Sequence, residues 1–310
     1  MAKKKREKEN KIILIQIVIS GLALIASALF WYWADTSKPE VKAEVTPATS
    51  TPSTLAFQKL ELEAKAFVVY DPQARRVIYG KNEKEALPLA SLTKLMTAAA
   101  ASDLFTPTST IVISEKALLE EGDMGLNYGE RWNFFELLNL MLVASSNDGA
   151  AAIASAASSL GKGDFIDLMN RKAKDLNLQT LSFSSPTGLD IENTLATAYG
   201  SPEDIAKLMA YLIKTQPQIL EATQYSNWKE KSLDNKLHKV KNTNEITDRL
   251  PGLLASKTGY TQSSGGNLAV AIDAGLNQPV ILVVMGSTKE SRFSDTEKLA
   301  QASLEYFSQD

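Results

Sequence analysis

The sequence predicts an α+β fold: one antiparallel sheet built from both ends of a globular region, flanked by helices, with a helical block between. Three observations carry this expectation. β-Rich runs stand early, at Lys65–Tyr70 and Arg75–Tyr79, and return late, at Leu253–Thr258, Asn267–Ile272 and Val280–Met285. The segments between them carry apolar residues at helical spacing. Strands at both ends with helices between are most simply satisfied by one sheet under a helical cover.

The chain does not begin with that region. Residues 1–11 hold six basic side chains, and from Ile12 to Ala34 no charge appears. An apolar run of that length can cross a bilayer, which needs about 20 residues. It ends in Phe30-Trp31-Tyr32-Trp33, a group suited to the interface. The expectation is a basic cytoplasmic tail (1–11), a transmembrane anchor (12–34) and an extracytoplasmic remainder, a single-pass membrane protein. A signal peptide cut near Ala26-Ser27-Ala28 is the rival, disfavoured because the apolar run continues past that point. Residues 35–54, rich in Thr, Pro, Ser, Ala and Lys, read as a disordered tether. Residues 55–310 then form one catalytic domain, without an internal repeat or second linker.

Within that domain Asp71-Pro72-Gln73-Ala74 reads as the turn of a hairpin. A helix is expected from Ser91 to about Leu104, and others over Asn133–Val143, Asp148–Ser158 and Asp164–Leu176. Ser201-Pro202-Glu203-Asp204 is a helix start, with a capping serine, proline at the first position and acids in the first turn. A last helix is expected over Ser294–Phe307.

Composition removes several chemistries. The 310 residues carry a formal net charge of -3, no cysteine and one histidine. A phosphate-coated nucleic-acid partner, a thiolate nucleophile and a multi-histidine metal site are all disfavoured, and neither metal nor cofactor is expected. The histidine, His238, lies in a lysine-rich polar stretch and reads as solvent-facing, which leaves no partner for a Ser-His-Asp triad.

What remains is Ser91-Leu92-Thr93-Lys94. Three residues apart on a helix, the two side chains share a face one turn apart, so the amine can serve the hydroxyl as base. Ser-x-x-Lys recurs at Ser159–Lys162 and Ser226–Lys229, but only Ser91 is followed in order by Ser145-Ser146-Asn147 and Lys257-Thr258-Gly259. A lysine is ordinarily protonated at pH 7; burial and a second cation, Lys257, would favour its neutral form. Ser145 could relay a proton between Lys94 and a leaving amine, and Asn147 could bond a substrate amide. The triplet also suits a mere cap for the following helix. Gly259 would let a substrate backbone approach the strand edge.

With their flanks, these motifs resemble the low-molecular-mass penicillin-binding proteins, serine-type D-alanyl-D-alanine carboxypeptidases. The likeness runs from about Ala64 to Phe307 and includes Thr187-Gly188-Leu189-Asp190, Asn242-Thr243-Asn244 and Tyr260-Thr261. It implies a penicillin-binding/β-lactamase-like fold and an acyl-enzyme on Ser91 formed from a peptidoglycan stem peptide, with β-lactams as covalent inhibitors. Lys94 is implied as base, Ser145 as relay, Asn147 as orienting the peptide, Lys257 as a charge, and Thr258 as binding the terminal carboxylate. The amides of Ser91 and Tyr260 are implied as an oxyanion hole, and Arg292 as a further carboxylate ligand. A D,D-endopeptidase would use the same residues on cross-links. A class A β-lactamase would need a deacylating glutamate after the middle motif, and Glu136 precedes it. A non-catalytic wall-binding protein is disfavoured because Ser91, Lys94 and Lys257 are all present.

Overall fold

The computed structural model describes residues 54–308 except 123, 193 and 276, so the expectations for residues 1–53 lie outside the described residues. β1 (Ala66–Asp71) and β2 (Arg76–Lys81) form the expected hairpin. β3 (Leu87–Pro88) leads into a 3-10 turn, Ala90–Leu92, continued by α1 (Thr93–Ala101). β4 (Thr110–Val112) pairs with β5 (Arg131–Asn133), and α2 (Phe134–Ala144), α3 (Asn147–Ser159) and α4 (Phe165–Asp175) follow. After β6 (Ser182–Phe183) and β7 (Ala198–Gly200) come α5 (Pro202–Thr215) and the short α6 (Gln218–Glu221). A second hairpin, β8 (Asn227–Lys231) and β9 (Leu237–Lys241), precedes β10 (Leu253–Thr261), β11 (Gly265–Asp273), β12 (Pro279–Ser287) and α7 (Ser291–Phe307).

The main sheet runs β10-β11-β12-β1-β2 and every neighbour is antiparallel, so the two chain ends do meet in one sheet. Ala66 pairs with Met285 and Tyr70 with Ile281. Side chains alternate across the pleat. Val68, Tyr70, Ala269, Ala271, Ile281 and Val283 face the core shared with α1 and α5. Phe67, Val69, Leu268, Val270, Leu282 and Val284 face the core under α7, with Leu299 and Tyr306. Both faces are dry, which is why these strands read as unbroken apolar runs.

Every residue of α1 is buried. Its four consecutive alanines, Ala98–Ala101, let neighbouring elements pack close on all sides. The helix ends at Ala101, short of the expected Leu104, where Ser102 Oγ turns back onto the Ala98 carbonyl. Ser201 caps α5 as expected, accepting from Asp204 N. Among the described residues no helix is long and apolar enough to cross a membrane.

His238 departs from its expected place. It is buried on the inner side of the β8–β9 hairpin, where its Nε2 lies 2.7 Å from Glu130 Oε1 and its ring packs on Trp132 at 4.8 Å. Strand alternation explains this: the exposed Leu237 and Lys239 flank it, and the residue between them must point inward.

Candidate active site

The site forms where the turn before α1, the α2–α3 connection and β10 converge. Ser91 sits in the 3-10 turn, one residue after Ala90, whose φ of 48° is left-handed. Two devices hold that turn. Thr93 Oγ1 donates to the Ala90 carbonyl at 2.7 Å, and Asn267 Nδ2 donates to the carbonyls of Pro88 (2.9 Å) and Leu89 (3.1 Å). Asn267 Oδ1 accepts from Gly286 N at 2.9 Å, so one buried carboxamide ties the turn to the sheet.

Lys94, fully buried, points its amine at three acceptors: Ser91 Oγ at 2.9 Å, Asn147 Oδ1 at 2.6 Å and the Thr187 carbonyl at 2.9 Å. Burial lowers its pKa to about 7, against the opposing pull of Glu120 and Asp148. A neutral amine has two N–H groups and one lone pair. With Asn147 and Thr187 taking the two donors, the lone pair faces the Ser91 hydroxyl, the arrangement a base needs to accept its proton.

α2 ends at Ser145 in a left-handed conformation, φ 59°, and Ser146 caps α3 by accepting from Gly149 N. The capping reading and the chemical reading of the triplet thus fall on different residues. Ser146 also bonds Asp148, while Ser145 and Asn147 turn toward the cleft. Lys257 Nζ donates to Ser145 Oγ at 2.9 Å and to the Thr258 carbonyl at 2.9 Å. Lys257 is held well below the ordinary lysine range by burial, then by the positive charges of Lys94 and Arg292.

Four of the expected residues have protein partners that the sequence did not show. Ser145 is bonded to Lys257 rather than to Lys94, because its left-handed backbone aims the hydroxyl at the sheet. Asn147 spends its carboxamide on protein: Oδ1 on Lys94, and Nδ2 on the Glu121 carbonyl at 2.6 Å. Gly259 makes room for the Ser91 turn. A Cβ there would lie 2.9 Å from the Leu89 carbonyl oxygen and 3.3 Å from Leu92 N, so glycine lets β10 close on the Ser91 turn. Arg292 is 6% exposed, its guanidinium donating to the Gly259 carbonyl at 2.8 Å and lying over the Phe293 ring, and so it braces β10 from behind. Thr258 Oγ1 donates to Thr243 Oγ1 at 2.6 Å. Tyr260, by contrast, is half exposed beside Lys289.

Three supporting residues had no role assigned from sequence. Thr187 supplies a carbonyl to Lys94, and the adjoining segment is fastened along α1 by Thr97 Oγ1 donating to Pro186 O at 2.7 Å. Thr243 orients Thr258. Asn267 left a signal in the sequence, as a lone carboxamide beside an apolar strand run whose polar atoms must find partners. Among the described residues no group of three or more acidic or histidine side chains could hold a metal ion.

The pattern of the D-alanyl-D-alanine carboxypeptidase peptidase family matches residues 51–289, well over half of the sequence. This chain belongs to that family of serine peptidases. It is 31% identical over 264 residues to D-alanyl-D-alanine carboxypeptidase DacF of Bacillus subtilis, covering 81% of this chain and 66% of that protein. It is 29% identical over 248 residues to a D-alanyl-D-alanine endopeptidase of Pseudomonas aeruginosa, covering 77% of this chain and 76% of that one. Penicillin-binding protein D2 of Listeria monocytogenes, solved in an ampicillin-bound form, superposes with a TM-score of 0.64 at 28% identity, over 79% of this chain and 98% of that one. The fold is therefore the penicillin-binding fold that the motifs implied. The chain spans 66%, 64% and 62% of the length of three curated carboxypeptidases in the family.

Proposed function

We propose that this chain is a membrane-anchored serine D-alanyl-D-alanine carboxypeptidase that removes the terminal D-alanine from peptidoglycan stem peptides. The observation that carries the reading is the Lys94 amine, buried, near neutrality in pKa and 2.9 Å from Ser91 Oγ.

In this mechanism the Ser91 proton passes to Lys94 as Oγ bonds the carbonyl carbon of the penultimate D-alanine. The amides of Ser91 and Tyr260 receive the developing oxyanion, a contribution of a few kcal/mol per donor. The C–N bond then breaks, and the departing D-alanine amine takes the proton that Lys94 received, by way of the Ser145 hydroxyl that Lys257 holds in place. Thr258, with its Thr243 partner, receives the substrate's terminal carboxylate. Water next attacks the ester and regenerates the Ser91 hydroxyl. A β-lactam enters at the first step, its ring amide replacing the peptide bond. The apolar run at 12–34 supports anchoring, with the domain outside the cytoplasm.

A second reading is a D,D-endopeptidase, which would use the same residues on cross-links, since an endopeptidase is also among the similar proteins, 29% identical over 248 residues. The test is product mass. Incubation with a stem pentapeptide ending in D-Ala-D-Ala should release one alanine, and Ser91→Ala should release none. An intact pentapeptide alongside cleaved cross-linked muropeptides would assign endopeptidase activity. No cleavage of either substrate, and no labelling by penicillin, would overturn both readings.

A further inference from the structure

The β8–β9 hairpin carries a feature that the catalytic reading does not use. Its register places Lys229 directly opposite Lys239, with Asn227 opposite Lys241 and Lys231 opposite Leu237. These six residues are exposed, while Trp228, Glu230, His238 and Val240 turn toward the protein. One face of a two-stranded sheet therefore presents four lysines and no acid. Among the described residues none of the four forms an ion pair. Glu230, the acid on these two strands, lies on the other side of the pleat, and Asp234 at the hairpin tip is taken by Arg131 at 2.7 Å.

Like charges directly across a strand pair destabilise it, and here they sit in a chain whose net charge is -3. The hairpin also begins the path to the cleft: Lys241 is two residues before Thr243, which holds Thr258. We propose that this lysine face binds a linear phosphodiester polymer, holding the enzyme on an anionic strand beside its substrate.

The chemistry favours that occupant over others. Lysines two apart on a strand stand about 6.6–6.8 Å from each other, giving a row of point charges suited to a chain of repeating anions. The four cations are all lysine, with none of the planar forks that grip carboxylates in pairs. Nucleic-acid strands are commonly held by stacking on aromatic rings, and the tryptophan here faces inward. An anionic bilayer would also attract lysines, and the polymer is favoured because this face offers a single apolar side chain, Leu237, to insert.

The test uses the purified full chain and soluble poly(glycerol phosphate), read by calorimetry at several salt concentrations. Replacing Lys229, Lys231, Lys239 and Lys241 together by Gln should weaken binding about tenfold or more. It should also flatten the dependence of log Kd on log salt by roughly two to three, at ~0.7 per lost contact for a flexible strand. The charge-matched control, Gln at the exposed Lys84, Lys116, Lys162 and Lys174, should leave both nearly unchanged. Thermal melting reports the fold independently of any activity. If the fourfold variant melts early, Lys229→Gln with Lys239→Gln, which relieves the opposed pair, supplies the readout. Four results would overturn the proposal: no binding by the unaltered chain, equal loss in both fourfold variants, equally tight binding of polyglutamate, or a larger loss of phosphatidylglycerol-vesicle retention than of polymer binding when the four hairpin lysines are replaced.

Discussion

Lys257, carried on β10, donates to the hydroxyl of Ser145 at 2.9 Å, joining the sheet wall of the cleft to the helical wall. Ser145 already occupies a left-handed conformation that costs a non-glycine residue about 1–2 kcal/mol. The bond converts that strained cap into an aimed hydroxyl. Lys257→Ala should leave the rotor free and lower acylation by penicillin about 100-fold, the lower range for a proton-transfer residue. Stopped-flow acylation, with circular dichroism as the fold control, checks this. An unchanged rate in a folded variant would remove the relay from the mechanism.

The Lys94 pKa of about 7 sets a pH profile. If the neutral amine is the base, acylation rises with pH, about tenfold per unit well below 7, and levels off above it. Glu120 stabilises the protonated form and so holds the midpoint up. Glu120→Gln should move the rising limb to lower pH while leaving the plateau in place. Labelling rates with a fluorescent penicillin from pH 5 to 9 measure both limbs, and a profile that ignores Glu120 would argue that another group controls the step.

Much of this was readable before the structure, and the division has a physical basis. Strand and helix periodicity report burial on each face, so the main-sheet strands, α2 to α4 and the start of α5 emerged close to their observed bounds. Ser91, Lys94, Ser145 and Lys257 were recoverable because their chemistry demands particular residue types in order. What sequence hides is direction. Nothing local shows that Gly259 opens toward the Ser91 turn, that Arg292 braces a strand from behind, or that Asn147 spends both ends of its amide on protein. Nor does a polar neighbourhood reveal that His238 alternates inward. Those facts depend on partners that range from 26 residues away, Glu121 for Asn147, to 170, Leu89 for Gly259.

Gly188 should be among the least replaceable residues near the site. Its φ is 76°, and an added Cβ would overlap the Ala90 carbonyl and press on Thr93 Oγ1. Gly188→Ala must displace either the turn carrying Ser91 or the Thr187 carbonyl that holds Lys94. A loss of roughly 2 kcal/mol or more in urea unfolding is expected, together with loss of penicillin labelling. Gly161→Ala isolates the backbone cost, since φ there is 71° and nothing lies within 4 Å of the added carbon. It should cost only about 1 kcal/mol. Equal losses at the two positions would mean that the crowding at Gly188 is relieved without consequence.

Lys94 should also be visible in folding stability. Its pKa is about 7 in the folded chain and 10.5 as an ordinary lysine. Between those values the unfolded chain binds more protons, so stability rises with pH, by up to about 1.4 kcal/mol per pH unit for one such group. Below pH 7 both states are protonated, and the folded state bears the full cost of an ammonium buried away from water. Lys257, lowered for the same first reason, adds a slope of the same sign. Lys94→Met removes one titrating group and keeps the other, so its stability should climb less steeply between pH 7 and 9 than that of the unaltered chain. Urea unfolding at pH 7, 8 and 9 gives both slopes. Parallel slopes would mean that Lys94 keeps its proton through neutrality, and the lone pair required at Ser91 would have to come from elsewhere.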